Sequence, residues 1–159
     1  MTQQQQTPDE IQIISDFKPR RQQFDNFLKA TSTNEVFFTC PSCGFPTLTE
    51  RDEHEICDIC KWQDDGQDDQ DADEIKGGPN SDLSLTDSRL KIGKELIQLA
   101  KNLNGKLITN PDKFFTLLHR HIGKMEILSN KLKSNSDNDT LRAEWVRTRE
   151  LIKHDLIEK

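Results

Sequence analysis

CPSCGFPTLTERDEHEICDIC, residues 40–60, holds every cysteine of the 159-residue chain. They form two Cys-x-x-Cys pairs, Cys40 with Cys43 and Cys57 with Cys60, and residues 44–56 separate the pairs. Two such pairs at this separation read as a tetrahedral four-cysteine metal site. Pro41 fixes one backbone angle, and Gly44 can turn with φ > 0 where another residue would be strained. Such a turn points both thiolates of a pair at one ion. The spacer is long enough for one strand out and one back, so the sequence predicts two knuckles joined by a hairpin.

Other uses of four cysteines fit less well. Disulfides need an oxidising compartment, and MTQQQQTPDE offers neither the basic start nor the apolar core of a secretory signal. A redox-active Cys-x-x-Cys would stand once, near a βαβ pattern that the chain lacks. Zn²⁺ is favoured over iron, since a closed all-cysteine site commonly holds zinc, although the ligands alone admit either metal. With Cys40, Cys43, Cys57 and Cys60 all bound, no position is left for water or substrate, so the metal is expected to be structural.

Hydrophobic residues make up 32% of the chain and charged residues 31%, so the apolar core must be thin for this length. A structural metal would offset that shortfall, because its binding free energy is also folding free energy. No apolar run approaches the ~18 residues of a membrane span. Free thiols without a signal point to the cytoplasm.

The net charge of −6 is unevenly spread: residues 50–76 hold twelve acids and three bases, a local −9. That density repels phosphate, so the sequence argues against nucleic acid as the target of a zinc ribbon. Seven acids crowd the run from Asp64 to Glu74. A calcium loop fails there, because Glu74 and Asn80 fall where an EF-hand needs glycine and glutamate. A solvated, self-repelling loop is the plain reading. The sharper one is a docking surface for a basic protein, with Asp64, Asp65, Asp68, Asp69, Asp71 and Asp73 as contact candidates.

In chain order, residues 1–10 read as a disordered tail with four consecutive glutamines. Residues 11–39 form a helical and extended segment: an apolar stretch to Phe17, an interruption at Pro19, and a short helix over 21–30. Arg20 and Arg21 read there as a solvated pair. Residues 31–34 then form a loop, and a strand runs from Val36 to Thr39. The metal module with its acidic loop covers 40–80 and closes at Gly77-Gly78-Pro79-Asn80; Trp62 is placed to cover one side of the metal. Residues 81–159 carry apolar residues at helical spacing, with helices expected at about 86–103, 111–133 and 140–157. Ser84 or Thr86 suits the first cap and Asn110-Pro111 the second. The predicted fold is α+β, a small four-cysteine ribbon module packed on a C-terminal three-helix bundle.

No catalytic constellation is evident: there is no Gly-rich phosphate loop, no GxSxG, no HExxH and no spare cysteine. His54 is expected to be exposed, and His121 lies on an apolar helical seam. His119 and His121 flank Arg120 and face different ways, so they make no paired metal site.

Residues 40–92 resemble the cysteine-rich CPCC domain, a small bacterial family. CPSCG at 40–44, EICDIC at 55–60, Trp62, DDG at 64–66, GGPN at 77–80 and Ser84-Leu85 with Arg89 carry the resemblance. The family name reflects a third cysteine in the first knuckle, where this chain has Ser42; another departure is Lys61-Trp62-Gln63. The resemblance implies association with toxins of bacterial competition systems, and so an immunity role. Together these readings predict a non-catalytic zinc protein that inhibits a basic toxin domain, such as a nuclease, through its acidic face. A nucleic-acid-associated ribbon and a metal-dependent enzyme are the alternatives.

Overall fold

The structure, a computed structural model, describes residues 5–31 and 37–159. The fold is mixed α+β. In order come α1 (Pro8–Ala30), β1 (Phe38–Thr39), β2 (Pro46–Leu48), α2 (Leu85–Asn102), β3 (Lys106–Leu107), α3 (Pro111–Ser134), α4 (Asp139–Asp155) and β4 (Ile157–Glu158). The chain divides into two compact units, Met1–Gln98 and Leu99–Lys159. The expected bundle of three C-terminal helices is thereby corrected. Most of α2 belongs with the cysteine module, while α3 and α4 form the second unit.

In the first unit, α1 opens with a capping box. Thr7 Oγ1 accepts from the Glu10 amide at 3.2 Å, and Glu10 Oε2 accepts from the Thr7 amide at 3.1 Å. Pro8 takes the first helical position, where its missing N–H costs nothing. The helix thus starts inside the stretch expected to be a tail; residues 1–4 lie outside the described residues. A second correction concerns Pro19, which does not end the helix. A proline in a helix interior costs about 3 kcal/mol. Burial of Ile13, Phe17 and Phe24 on both sides of it, worth roughly 1.5–3 kcal/mol per side chain, outweighs that loss. The expected loop over 31–34 and the start of the strand at Val36 fall mostly outside the described residues.

α2 packs on α1 through Gly93. A Cβ on that residue would meet Ile13 Cγ2 at 2.4 Å, so the close approach of the two helices requires glycine. Ser84 caps α2, its Oγ accepting from the Asp87 amide at 3.0 Å. Thr86, the other candidate cap, instead donates to Asp73 Oδ1 at 2.6 Å.

β1 and β2 pair antiparallel, with Phe38 opposite Leu48, and the first cysteine pair forms their turn. The second pair lies between Ile56 and Gln63, which form an antiparallel bridge. Each knuckle is therefore the tip of its own short pairing. This corrects the single hairpin expected between the knuckles.

In the second unit, Asn110 caps α3 by accepting from the Lys113 amide at 3.0 Å. Asn138 caps α4, accepting from the Leu141 amide at 3.1 Å. Phe114, Leu118, His121 and Leu128 are buried from α3 and Ile152 from α4. α4 stops before the predicted helix end, and Ile157–Glu158 pair antiparallel with Lys106–Leu107. Among the described residues no helix is long and apolar enough to cross a membrane.

Candidate metal centre

The two knuckles repeat one backbone pattern. The Gly44 amide donates to the Cys40 carbonyl at 2.9 Å, and the Lys61 amide donates to the Cys57 carbonyl at 2.9 Å. The Cys40 amide reaches the Phe45 carbonyl at 2.8 Å, and the Cys57 amide reaches the Trp62 carbonyl at 2.9 Å. The residue after each pair is left-handed, with φ of +80° at Gly44 and +64° at Lys61. Phe45 and Trp62 are both buried. The repetition extends the Cys-x-x-Cys spacing into three dimensions: two like turns each present two sulfurs.

The four Sγ atoms lie within 4.8 Å of one another. Cys40 and Cys60 approach to 3.6 Å, Cys43 and Cys57 to 3.7 Å. Disulfide sulfurs would stand about 2.05 Å apart, and all four cysteines are free. A tetrahedron with metal–sulfur bonds of about 2.3 Å has edges of about 3.8 Å. The cluster fits such an ion. Cys40, Cys43 and Cys57 are buried and Cys60 is partly exposed. Among the described residues this is the group of cysteine, histidine and acidic side chains positioned to bind a metal ion.

Burial pushes the Cys40 and Cys43 thiols well above their ordinary range. Burial acts on Cys57 in the same sense, but hydrogen bonds from Cys40, Cys43, Cys60 and Thr47 hold it well below. Thr47 Oγ1 lies 3.0 Å from Cys57 Sγ, and the Ser42 amide donates to Cys40 Sγ at 3.4 Å. Metal ligation requires all four as thiolates, and N–H and O–H donors of this kind favour that form.

Side chains from α1 and α2 hold the first knuckle from outside. Arg20 Nε and Nη2 donate to the Cys43 carbonyl at 3.1 and 2.9 Å. Arg89 Nε donates to the Pro41 carbonyl at 2.7 Å. Ser88 Oγ lies 2.6 Å from Ser42 Oγ, and both side chains are buried. Arg20 and Arg21 are therefore not the solvated pair expected from sequence. Arg20 lies 5.2 Å over the Phe45 ring and Arg89 lies 4.3 Å over the Phe17 ring, which adds cation–π attraction.

The acidic run is folded inward onto the same arginines. Asp64 is fully buried; its Oδ2 accepts from Arg51 Nε and from the Asp52 amide, both at 2.8 Å. Asp68 is gripped bidentately by Arg21, at 2.6 and 2.8 Å, and again by Arg51 at 3.1 Å. Asp69 pairs with Arg89 at 2.7 Å, and Asp71 pairs with Lys76 at 2.6 Å. Burial disfavours the Asp68 anion, but the Arg21 and Arg51 guanidinium groups and the Asp69 amide hold its carboxyl well below the usual carboxylate range.

The six acids expected to meet a partner are therefore not alike. Asp64 is out of a partner's reach, and Asp68 is committed to Arg21 and Arg51. Asp71 also accepts from the Asp68 amide at 2.8 Å, which closes the turn. Asp69 and Asp73 remain exposed and Asp65 partly so. Asp69, Asp71 and Asp73 alternate as calcium ligands would, and each meets a protein donor, from Arg89, Lys76 and Thr86, although Asp69 and Asp73 stay exposed. His54 is exposed and stands outside the sulfur cluster, whereas His121 is buried.

Sequence reasoning missed Arg20, Arg21, Arg51 and Ser88. The acidic excess near the knuckles was visible, but the bases that answer it are scattered over residues 20–89 of the chain. One comparison bears on this segment. Residues 38–94 match the model of the Cysteine-rich CPCC family. The CPCC match takes in both knuckles, the acidic loop and the first half of α2, including Ser88 and Arg89. It leaves out Arg20 and Arg21, which α1 contributes. Within the CPCC segment Ser42 pairs with Ser88, outside the four sulfurs that converge. Neither the curated proteins nor the solved structures contain a match to this chain.

Proposed function

We propose that this protein is a non-catalytic interaction protein whose first unit is held by one structural zinc ion on Cys40, Cys43, Cys57 and Cys60. The convergence of four sulfurs within 4.8 Å on two like knuckles carries the reading. Zinc is preferred because four soft thiolates in a closed tetrahedral set suit it, and such a set leaves no site for a substrate. Zinc with four thiolates carries −2; Arg20 and Arg89, on the carbonyls of Cys43 and Pro41, are the nearby cations that answer it.

The finer reading is an immunity protein that binds and inhibits a basic toxin domain, with Asp65, Asp69 and Asp73 as the acids still available for contact. Anionic steering of a cationic cleft would speed encounter. Elemental analysis of the purified chain tests the centre: one zinc per chain is expected, and no stoichiometric metal would overturn it. Binding of a basic toxin domain that co-purifies from the host tests the surface. Asp69→Lys with Asp73→Lys should slow association and flatten its salt dependence, and an unchanged on-rate would remove those residues from the interface.

A further inference from the structure

The second unit carries a groove of about 420 Å³ between α3 and α4. Its floor is buried His121 and Leu128, and its mouth holds Ile127 and Leu151, which are 58% and 45% exposed. The two lips differ in sign. α3 contributes Arg120, Lys124 and Lys131, whereas α4 contributes Glu144 and Asp155. Leu117, His121, Lys124, Leu128 and Lys131 are spaced four, three, four, three along α3. Glu144, Thr148, Leu151 and Asp155 repeat four, three, four along α4. These are the seam positions along which α3 and α4 of one chain pack lengthwise on each other, with the groove lying between them.

We propose that this groove is the isologous interface of a homodimer, in which the α3 lip of one copy lies on the α4 lip of the other. Charge selects the occupant and its register. A twofold axis that set α3 on its own copy would bring Arg120, Lys124 and Lys131 against the same residues. One that set α4 on α4 would do likewise with Glu144 and Asp155. Like charges placed directly opposite are strongly unfavourable, whereas crossing the lips matches bases to acids at both halves of the seam. Ile127 and Leu151 then fill the centre, and two helix pairs become a four-helix arrangement with a shared core. A helix of uniform charge from another protein would satisfy one lip and oppose the other.

Sedimentation of the full chain should give a dimer. Lys124→Glu with Lys131→Glu makes both lips mainly acidic, with Arg120 the base that remains, and Glu144→Lys with Asp155→Lys makes both basic. Each double variant alone should self-associate at least about a hundredfold more weakly. Mixed in equal amounts the two should form a heterodimer, because a mainly acidic groove matches an all-basic one at both seams. A folding defect cannot mimic that recovery. A wild-type chain that stays monomeric up to about 1 mM, or two helical variants that ignore each other, overturns the proposal. Should either variant lose its helical circular dichroism, zero-length carbodiimide cross-linking of the wild-type chain decides instead. Intermolecular links from Lys124 or Lys131 to Glu144 or Asp155 support the interface, and their absence from the cross-linked material refutes it.

Discussion

Arg20 holds Cys43 by its backbone: two guanidinium nitrogens donate to one carbonyl oxygen, at 3.1 and 2.9 Å. The contact joins a residue of α1 to the turn that presents two of the four sulfurs. Burial lowers the Arg20 pKa, and the neighbouring Cys43 and Asp16 oppose that shift only in part. A charge-assisted hydrogen bond contributes about 1.5–3 kcal/mol. Arg20→Leu is expected to lower unfolding stability by about 2 kcal/mol and to hasten loss of the metal to a chelator. Arg20→Lys should recover only part of both, because an ammonium cannot reproduce the planar fork. A chelation rate that Arg20→Leu leaves unchanged would separate α1 from the centre.

The two knuckles share a left-handed residue but not its chemistry, and this gives a paired test. Gly44 has room for a Cβ, whose nearest neighbour would be Phe17 Cε2 at 3.4 Å, so Gly44→Ala is penalised by its φ of +80° alone. That strain costs roughly 1–2 kcal/mol. Lys61 already bears such strain at φ +64°, and its Nζ donates to the Asp58 carbonyl at 2.6 Å. In Lys61→Gly the relief of strain is opposed by the lost hydrogen bond and the looser unfolded chain, so the net change should stay within about 0.5 kcal/mol. Thermal melts of both variants check this. An equal loss in the two would contradict the shared geometry.

How much of this was legible beforehand depends on whether the cause was local. Two Cys-x-x-Cys pairs announce their site because four thiolates on one ion dictate spacing, and Asn110-Pro111 announces a helix start through its own capping chemistry. Pro19 misled because the burial of Phe17 and Phe24, which keeps the helix running, is tertiary. The acidic run misled for the same reason. Asp64 and Asp68 carry no local mark that distinguishes them from the exposed Asp69. Their partners lie elsewhere in the chain, Arg21 before the first cysteine pair and Arg51 between the two pairs. The β3–β4 pairing escaped notice because two-residue strands leave no period to read.

Asp64 and Asp69 stand five residues apart and should respond very differently to the same change. Asp64 is fully buried, and it accepts from Arg51 and two backbone amides. Asp64→Asn leaves Arg51 short of a charge partner in a partly buried place and should cost about 2–3 kcal/mol. The Asp69 side chain is 63% exposed, and its pair with Arg89 should be worth under about 1 kcal/mol. Urea midpoints of Asp64→Asn and Asp69→Asn test the contrast, and comparable losses would overturn the inward-folded account of the loop.

Asp68 makes stability depend on acid. Its carboxyl is held well below the usual range, with burial opposing and the arginine contacts prevailing. A depressed folded-state pKa adds stability above the unfolded value of about 3.9, and that stability fades as pH falls further toward the folded value. Partial exposure of the pair limits the amount to about 1–2 kcal/mol. Asp68→Asn should therefore be less stable than wild type at neutral pH. The gap should close below about pH 4. Denaturant titrations of both proteins across this range isolate the carboxylate, since acid competes for the thiolates equally in each. A gap that stays constant down to strong acid would show that the arginine contacts do not depend on the charge of Asp68.

Metal removal can be followed separately in each unit, because the chain's two tryptophans are divided between them. Trp62 is 2% exposed and its carbonyl accepts from the Cys57 amide, so its surroundings depend on the second knuckle. Trp145 belongs to α4, where its indole donates to Ser129 Oγ at 3.3 Å. Stripping the metal with a chelator should leave four clustered sulfurs that must take up protons, and the knuckles should then open. Wild type and Trp145→Phe should both show tryptophan emission moving to longer wavelength as Trp62 meets water. Trp62→Phe should show little change, since the packing of α3 on α4 uses no sulfur ligand. Equal shifts in the two single-tryptophan variants would mean that the ion supports the whole chain rather than the first unit alone. No shift in Trp145→Phe would mean that the first unit stands without it.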